Sequence, residues 1–215
     1  MQPIRRKTLV VLLALVAGLG GYPFVAAAQA LVANPPPAAL TGRALVNALR
    51  AGGYIIYFRH TSTDFGQNDD RMTGFEDCAS QRNLTDQGRD EARAVGVSLR
   101  ELGIPVGDVL ASPFCRTMET AQLMFGRAAA TPSVRGGPAQ PDSADRYTEL
   151  RRLLGMPVAR GANLVIVSHG NPFRAVVGGD YLAEGEAAII KAEASGAFSV
   201  VAHVRKDEWK SLAVS

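Results

Sequence analysis

Three short segments carry side chains that could act on phosphorus. "YIIYFRH" ends an apolar run on Arg59 and His60, "LASPFCR" leads from Ser112 to Arg116, and "VIVSHGNPF" ends on His169. A neutral imidazole can attack phosphorus in line and hold the phosphoryl group covalently until water removes it. Guanidinium groups offer fixed N–H donors that match phosphate oxygens and hold the charge that builds on them. Taken singly, each segment has a plainer reading. Arg59 and His60 would be a solvated strand end, Arg116 a helix-surface cation, and His169-Gly170 a turn into a helix. The phosphoryl chemistry requires all three to meet.

The surrounding pattern says how they could. "GYIIYF" and "NLVIVS" (163–168) are continuous apolar, β-branched runs, as strands covered on both faces should be, and "DVLAS" (108–112) reads as a shorter one. Helices are expected over 41–51, from the Thr85 cap to Gly103, over 116–126 ending at Gly126, over 146–155, and after His169 with Pro172 in the first turn. Residues 127–143 look loop-rich. "AAIIKAE" and "AFSVVAHV" read as antiparallel neighbours at a sheet edge. This alternation predicts an α/β fold with a mostly parallel central sheet, in which ligands bind at the carboxyl ends of the strands. All three chemical segments begin at such an end.

Little else in the chain competes with this reading. His203 stands alone in a late strand and is expected to be structural. No Cys or carboxylate lies at metal-ligand spacing from His60 or His169, and there is no glycine-rich phosphate loop or dinucleotide fingerprint. The expected reaction therefore uses no metal and no cofactor.

"YFRHTST", "LASPFCRTMETA" and "VIVSHGNPFRAV" resemble, in order, the three signatures of the histidine phosphatase superfamily, which includes the phosphoglycerate mutase-like enzymes. "MTGFEDCASQRNLTDQG" is similar to the segment those mutases place after the first signature. The resemblance spans residues 54–178 and implies a three-layer α/β/α sandwich. It implies His60 as nucleophile, with Arg59, Arg116 and His169 as the phosphate clamp. Thr73 and Gly74 are candidate substrate contacts; residues 62–82 and 127–145 are expected to shape the pocket mouth, with Arg71 and Arg82 as contacts to a second anionic group, and Glu119 either supports Arg116 or has no special role. Two departures stand out. Thr61 replaces the glycine that commonly follows the nucleophile, and no motif marks the general acid. Asp142 is the first candidate for that acid, ahead of Asp145, Glu149, Asp64 and Glu184.

Of the 215 residues, the first thirty read as a signal peptide: Arg5, Arg6 and Lys7, an apolar core, and Ala28 and Ala30 at a cleavage site. A retained anchor is the alternative. Glycines and Pro23 interrupt an apolar run shorter than the roughly 20 residues a span needs, and no Cys follows the cleavage site to take a lipid. Residues 31–40 form a Pro-rich lead-in, and 41–215 a single domain. The chain has 23 Lys and Arg against 20 Asp and Glu, and all three excess cations lie in the leader. That balance argues against nucleic-acid binding, and against stable membrane association once the leader is removed. Cys78 and Cys115 allow one disulfide in an exported chain, or remain two buried thiols. The implied site favours the bridge, because Cys115 precedes Arg116 and Cys78 lies in the loop over the pocket. The expected protein is an exported phosphomonoesterase acting on a small phosphorylated substrate. A phosphate-binding or sensing protein of the same fold, without turnover, is the alternative.

Overall fold

A computed structural model describes residues 39–136 and 146–212; the leader, Asp142, Asp145 and most of the Pro-rich lead-in lie outside them. In chain order the elements are α1 (Gly42–Ala51), β1 (Ile55–Arg59), α2 (Asp86–Glu101), β2 (Val106–Ala111), α3 (Cys115–Phe125), β3 (Ala129–Ala130), α4 (Thr148–Leu154), β4 (Asn163–Ser168), α5 (Gly170–Val177), β5 (Ala187–Ala192), β6 (Phe198–Val204) and α6 (Glu208–Leu212). The strands form one sheet in the order β3-β2-β4-β1-β5-β6. The first four run parallel, and β5 and β6 add an antiparallel edge.

β1 shows why the apolar runs are continuous. Ile56 and Phe58 pack into the core under α1, α2, α3 and α6, while Ile55 and Tyr57 pack into a second core under α4 and α5. Successive side chains of a strand point to opposite faces, so a strand with helices on both sides needs apolar residues at every position. The result is the three-layer sandwich.

Local signals set the helix ends. The Thr85 hydroxyl accepts the Gly88 amide at 2.9 Å and caps α2. Gly126 ends α3 in the left-handed region at φ +71°. Two short elements go beyond the sequence pattern. β3, inside the segment expected to be loop, is two residues paired with Leu110 and Ala111, too short to show periodicity. After β6, α6 places Trp209 fully buried beside Phe58, with ring centroids 6.0 Å apart. Among the described residues no helix is long and apolar enough to cross a membrane.

Strand register brings the chemistry together. Arg59 pairs with Ser168, and Ala111 with Val167. His60, Ser112 and His169 therefore each sit one step past a paired position on adjacent strands. The ladder also continues into them, through His60 N to Ser168 O at 3.0 Å and Ser112 N to Val167 O at 2.9 Å. Neighbouring strands lie about 4.8 Å apart, and the two imidazole centroids are 5.4 Å apart.

Candidate active site

His60 is almost wholly buried, and its Nδ1 lies 2.9 Å from the Thr61 carbonyl oxygen. A carbonyl can only accept, so Nδ1 carries the proton and Nε2 keeps its lone pair. Burial pushes the His60 pKa well below the ordinary imidazole value, and the Arg116, Arg59 and Arg82 charges push it the same way. His60 is neutral and its tautomer is fixed. Thr61, which stands in the glycine position, is buried against α3, where its amide and hydroxyl each lie 3.3 Å from the Thr120 hydroxyl. The side chain thus ties the turn after β1 to the helix that carries Arg116.

His169 caps α5 and meets the His60 ring edge-on. Its Nε2 is 2.8 Å from the Ser112 hydroxyl, and its backbone carbonyl accepts the Tyr57 hydroxyl at 2.8 Å. Burial first, and then His60 and the three arginines, hold its pKa well below the usual value. Burial keeps the Tyr57 phenol protonated by raising its pKa, so it remains a donor.

The arginines share one arrangement. Arg59 donates Nη1 to the Leu182 carbonyl at 2.8 Å and Nη2 to Glu184 at 3.4 Å, which leaves its buried Nε without a partner. Arg116 donates Nη1 and Nη2 to the two oxygens of Asp69, at 2.9 and 3.0 Å, and Nη1 also to the Arg82 carbonyl at 3.2 Å. Its buried Nε is also unpaired, as is that of Arg82. Buried N–H donors are seldom left unsatisfied, and here three cationic ones surround two neutral imidazoles. Each of the three could donate to an oxyanion. Burial lowers the pKa of Arg59 and Arg116, and Glu184 and Asp69 respectively oppose that shift.

Several expectations are redrawn by this geometry. Arg82 acts with Arg59 and Arg116 on His60 and His169 rather than standing at a separate anion site, while Arg71 lies on the exposed loop. The carboxylate supporting Arg116 is Asp69; Glu119 instead pairs with Arg89 at 2.7 Å. Asp69 gave no sequence signal beyond its place in a polar loop. The bonds of Thr73 and Gly74 run within that loop, with the Thr73 amide and hydroxyl both on Asp77. His203 pairs with Glu186 at 3.0 Å on the antiparallel edge.

Three acid candidates are placed. Asp64 closes its own exposed turn through the Gly66 amide. Glu149 pairs with Arg152 on the exposed side of α4. Glu184 accepts the Thr63 hydroxyl at 2.6 Å and lies 3.8 Å from His60 Nδ1, on the ring side away from Nε2. None of these is set to protonate a leaving oxygen. At Gly136, a side chain would strike the His169 ring, so the chain presses on the site where it leads into the segment containing Asp142.

Cys78 and Cys115 are joined, with Cα atoms 5.7 Å apart. Gln81 reinforces the bridge by accepting the Cys115 amide at 2.9 Å and donating to the Phe75 carbonyl at 2.9 Å. The loop carrying Asp69 and Arg82 is thereby fastened to the first turn of α3. A cavity of about 790 Å³ lies outside this site between that loop and the flank of α3, and none of Arg59, His60, Arg116 and His169 lines it.

Residues 55–137 match the family model described as histidine phosphatase superfamily, branch 1. A 79-residue stretch is 35% identical to the mitochondrial serine/threonine-protein phosphatase Pgam5 of Drosophila virilis, covering 36% of this chain and 24% of that protein. The chain thus spans about a quarter of the length of this curated relative. Among solved structures, the protein histidine phosphatase SixA complexed with tungstate aligns with a TM-score of 0.50 at 18% identity, over 72% of this chain and 98% of the other. A phosphoserine phosphatase mutant of Entamoeba histolytica, in complex with phosphoserine, aligns with a TM-score of 0.50 at 13% identity, over 71% and 97%. The product of an open reading frame of Mycobacterium tuberculosis aligns with a TM-score of 0.50 at 23% identity, over 69% and 95%. The matched segment begins at β1 and takes in Arg59, His60 and Arg116, and the sheet places His169 beside them: residues 55–137 match the histidine phosphatase superfamily, and the fold of the chain is similar to that of its solved members.

Proposed function

We propose that this protein is an exported phosphomonoesterase that hydrolyses a small phosphate monoester through a phosphohistidine on His60, without a metal. The observation that carries the reading is the neutral, tautomer-fixed imidazole of His60 among three buried, unpaired guanidinium Nε–H donors. In the first step His60 Nε2 forms a bond to phosphorus as the bond to the leaving oxygen breaks, and that oxygen takes a proton. The arginines hold the charge on the three equatorial oxygens, and His169 completes the clamp. In the second step water attacks phosphorus, the N–P bond breaks, a proton returns to the general acid, and inorganic phosphate leaves.

Asp142 is the proposed general acid. Its support is the placement of Asp64, Glu149 and Glu184 away from the leaving side, together with the approach of the chain to His169 at Gly136. Asp142→Asn is expected to spare p-nitrophenyl phosphate, whose leaving group needs little protonation, and to slow alkyl phosphates by about a hundredfold or more. Export rests on the basic, apolar and small-residue order of the first thirty residues, and N-terminal sequencing of the secreted chain should start just after Ala30.

The decisive measurement is phosphate release by the purified chain in the presence of a chelator. Wild type should turn over and His60→Ala should not, and acid-labile, base-stable ³²P should be trapped on wild type only. Turnover by His60→Ala would defeat the proposal. Because Asp64, Glu149 and Glu184 are each engaged elsewhere, the second reading is a phosphate-binding protein without turnover. It predicts vanadate binding with no hydrolysis even of p-nitrophenyl phosphate.

A further inference from the structure

A guanidinium has five N–H donors on three edges, so counting those in use shows which edge remains for a ligand. On Arg116, Asp69 takes both donors of the terminal Nη1/Nη2 edge, one oxygen to each nitrogen. The Arg82 carbonyl takes the remaining Nη1 donor. What is left is Nε–H and the second Nη2–H, which share one edge, and the Nε is buried with no partner. That edge can grip a phosphate side-on through two parallel bonds.

We propose that Asp69 is a positioning residue that turns Arg116 so that its Nε/Nη2 edge faces the phosphate; this rests on the phosphatase reading above. A carboxylate competing with a phosphate for its seat would sit on the Nε edge instead. Arg59 shows the same layout, with its terminal nitrogens held by Leu182 and Glu184 and its Nε free. Asp69 does a second job through the same oxygen. Its Oδ1 accepts the Arg82 amide at 2.9 Å as well as Arg116 Nη1. One carboxylate therefore fixes the orientation of Arg116 and the loop backbone beside the Arg82 side chain. It does so at the rim, with Asp69 31% exposed and Arg116 only 6%, where it can neutralise part of the clamp charge without blocking the seat.

Four forms test this: wild type, Asp69→Asn, Asp69→Glu, and Asp70→Asn as a control on an exposed neighbour. The measurements are vanadate Kd, and kcat and KM for p-nitrophenyl phosphate. Asp69→Asn keeps the size but cannot accept from both terminal nitrogens, so vanadate Kd and KM should each rise about tenfold or more, with kcat changing less. Asp69→Glu should recover part of the loss, and Asp70→Asn should behave as wild type. Unchanged Kd and KM in Asp69→Asn would reduce Asp69 to a loop contact. Tighter vanadate binding would make it a competitor for the seat. Either result overturns the positioning role while leaving the phosphatase reading intact. A wild type that neither binds vanadate nor turns over would defeat both.

Discussion

His60 and His169 are held neutral by burial among cations, and that sets a sign that solution measurements can check. Their pKa values lie well below 6.5 in the folded chain. In the unfolded chain both would titrate normally. Below about pH 6.5 the unfolded state therefore binds protons that the native state refuses, and stability falls as the pH drops, by about 1.4 kcal/mol per pH unit for each histidine, until the folded values are reached. Urea unfolding at pH 7.5 and 5.5 should show the loss, and His169→Gln should reduce the slope. Catalysis should not follow the same midpoint. With His60 neutral well into the acid range, its titration should cause no loss of kcat/KM centred near pH 6.5. Once the substrate's own second ionisation at about pH 6 is allowed for, a remaining midpoint there would mean that His60 is solvated, contrary to the geometry. The residue scale was only partly legible in sequence. Arg59, His60, Arg116 and His169 stand at strand ends, where the pattern of apolar runs exposes them. Asp69 and Arg82 lie in an irregular loop with no period, and only their partners reveal them.

At the scale of elements, two joints hold the site's halves together. One is the bridge between Cys78 and Cys115, with a sequence separation of 37. In the chain-entropy picture a loop of that length contributes about 4 kcal/mol. Cys78→Ser with Cys115→Ser, or reduction by a dithiol, should lower Tm and raise KM more than kcat, because the bridge fastens the loop bearing Asp69 and Arg82 to the turn bearing Arg116. Equal KM in oxidised and reduced protein would show that Asp69 and Gln81 hold the loop unaided. The other joint is Gly88. A Cβ there would stand 2.1 Å from the Ser62 carbonyl oxygen, two residues past His60. Both partners are backbone and cannot swing aside, so Gly88→Ala should cost about 1–3 kcal/mol and should slow turnover by shifting the turn that holds His60. Denaturant titration alongside kcat measures both effects. The Thr85 cap beside this contact was readable from composition and spacing. The close approach was not, because an unremarkable glycine inside a helix says nothing of what lies against it.

For the whole molecule, the expected consequence of three unpaired guanidinium edges is linkage to an oxyanion. Vanadate or phosphate at a hundred times its Kd should stabilise the folded chain by about 2.7 kcal/mol, seen as a rise in Tm. Arg82→Ala should diminish it, since the described contacts give the Arg82 guanidinium no carboxylate of its own, only the Phe65 ring 5.0 Å away. A Tm that ignores vanadate would mean that the three edges do not share one ligand.

The sequence by itself determined the class of fold, the faces of the buried strands and the points where chemistry starts, because apolar periodicity, caps and turn residues are local and act through the nearest few positions. It also supplied Arg59, His60, Arg116 and His169 as candidates, since their types limit what they can do. The order β2-β4-β1, which sets Ser112, His169 and His60 abreast, was decided only by tertiary structure, as were the edges left open on each arginine and the carboxylate that supports Arg116. These depend on which distant segments become neighbours, and on which donors are used up once they do. Neither quantity exists until the chain has closed on itself.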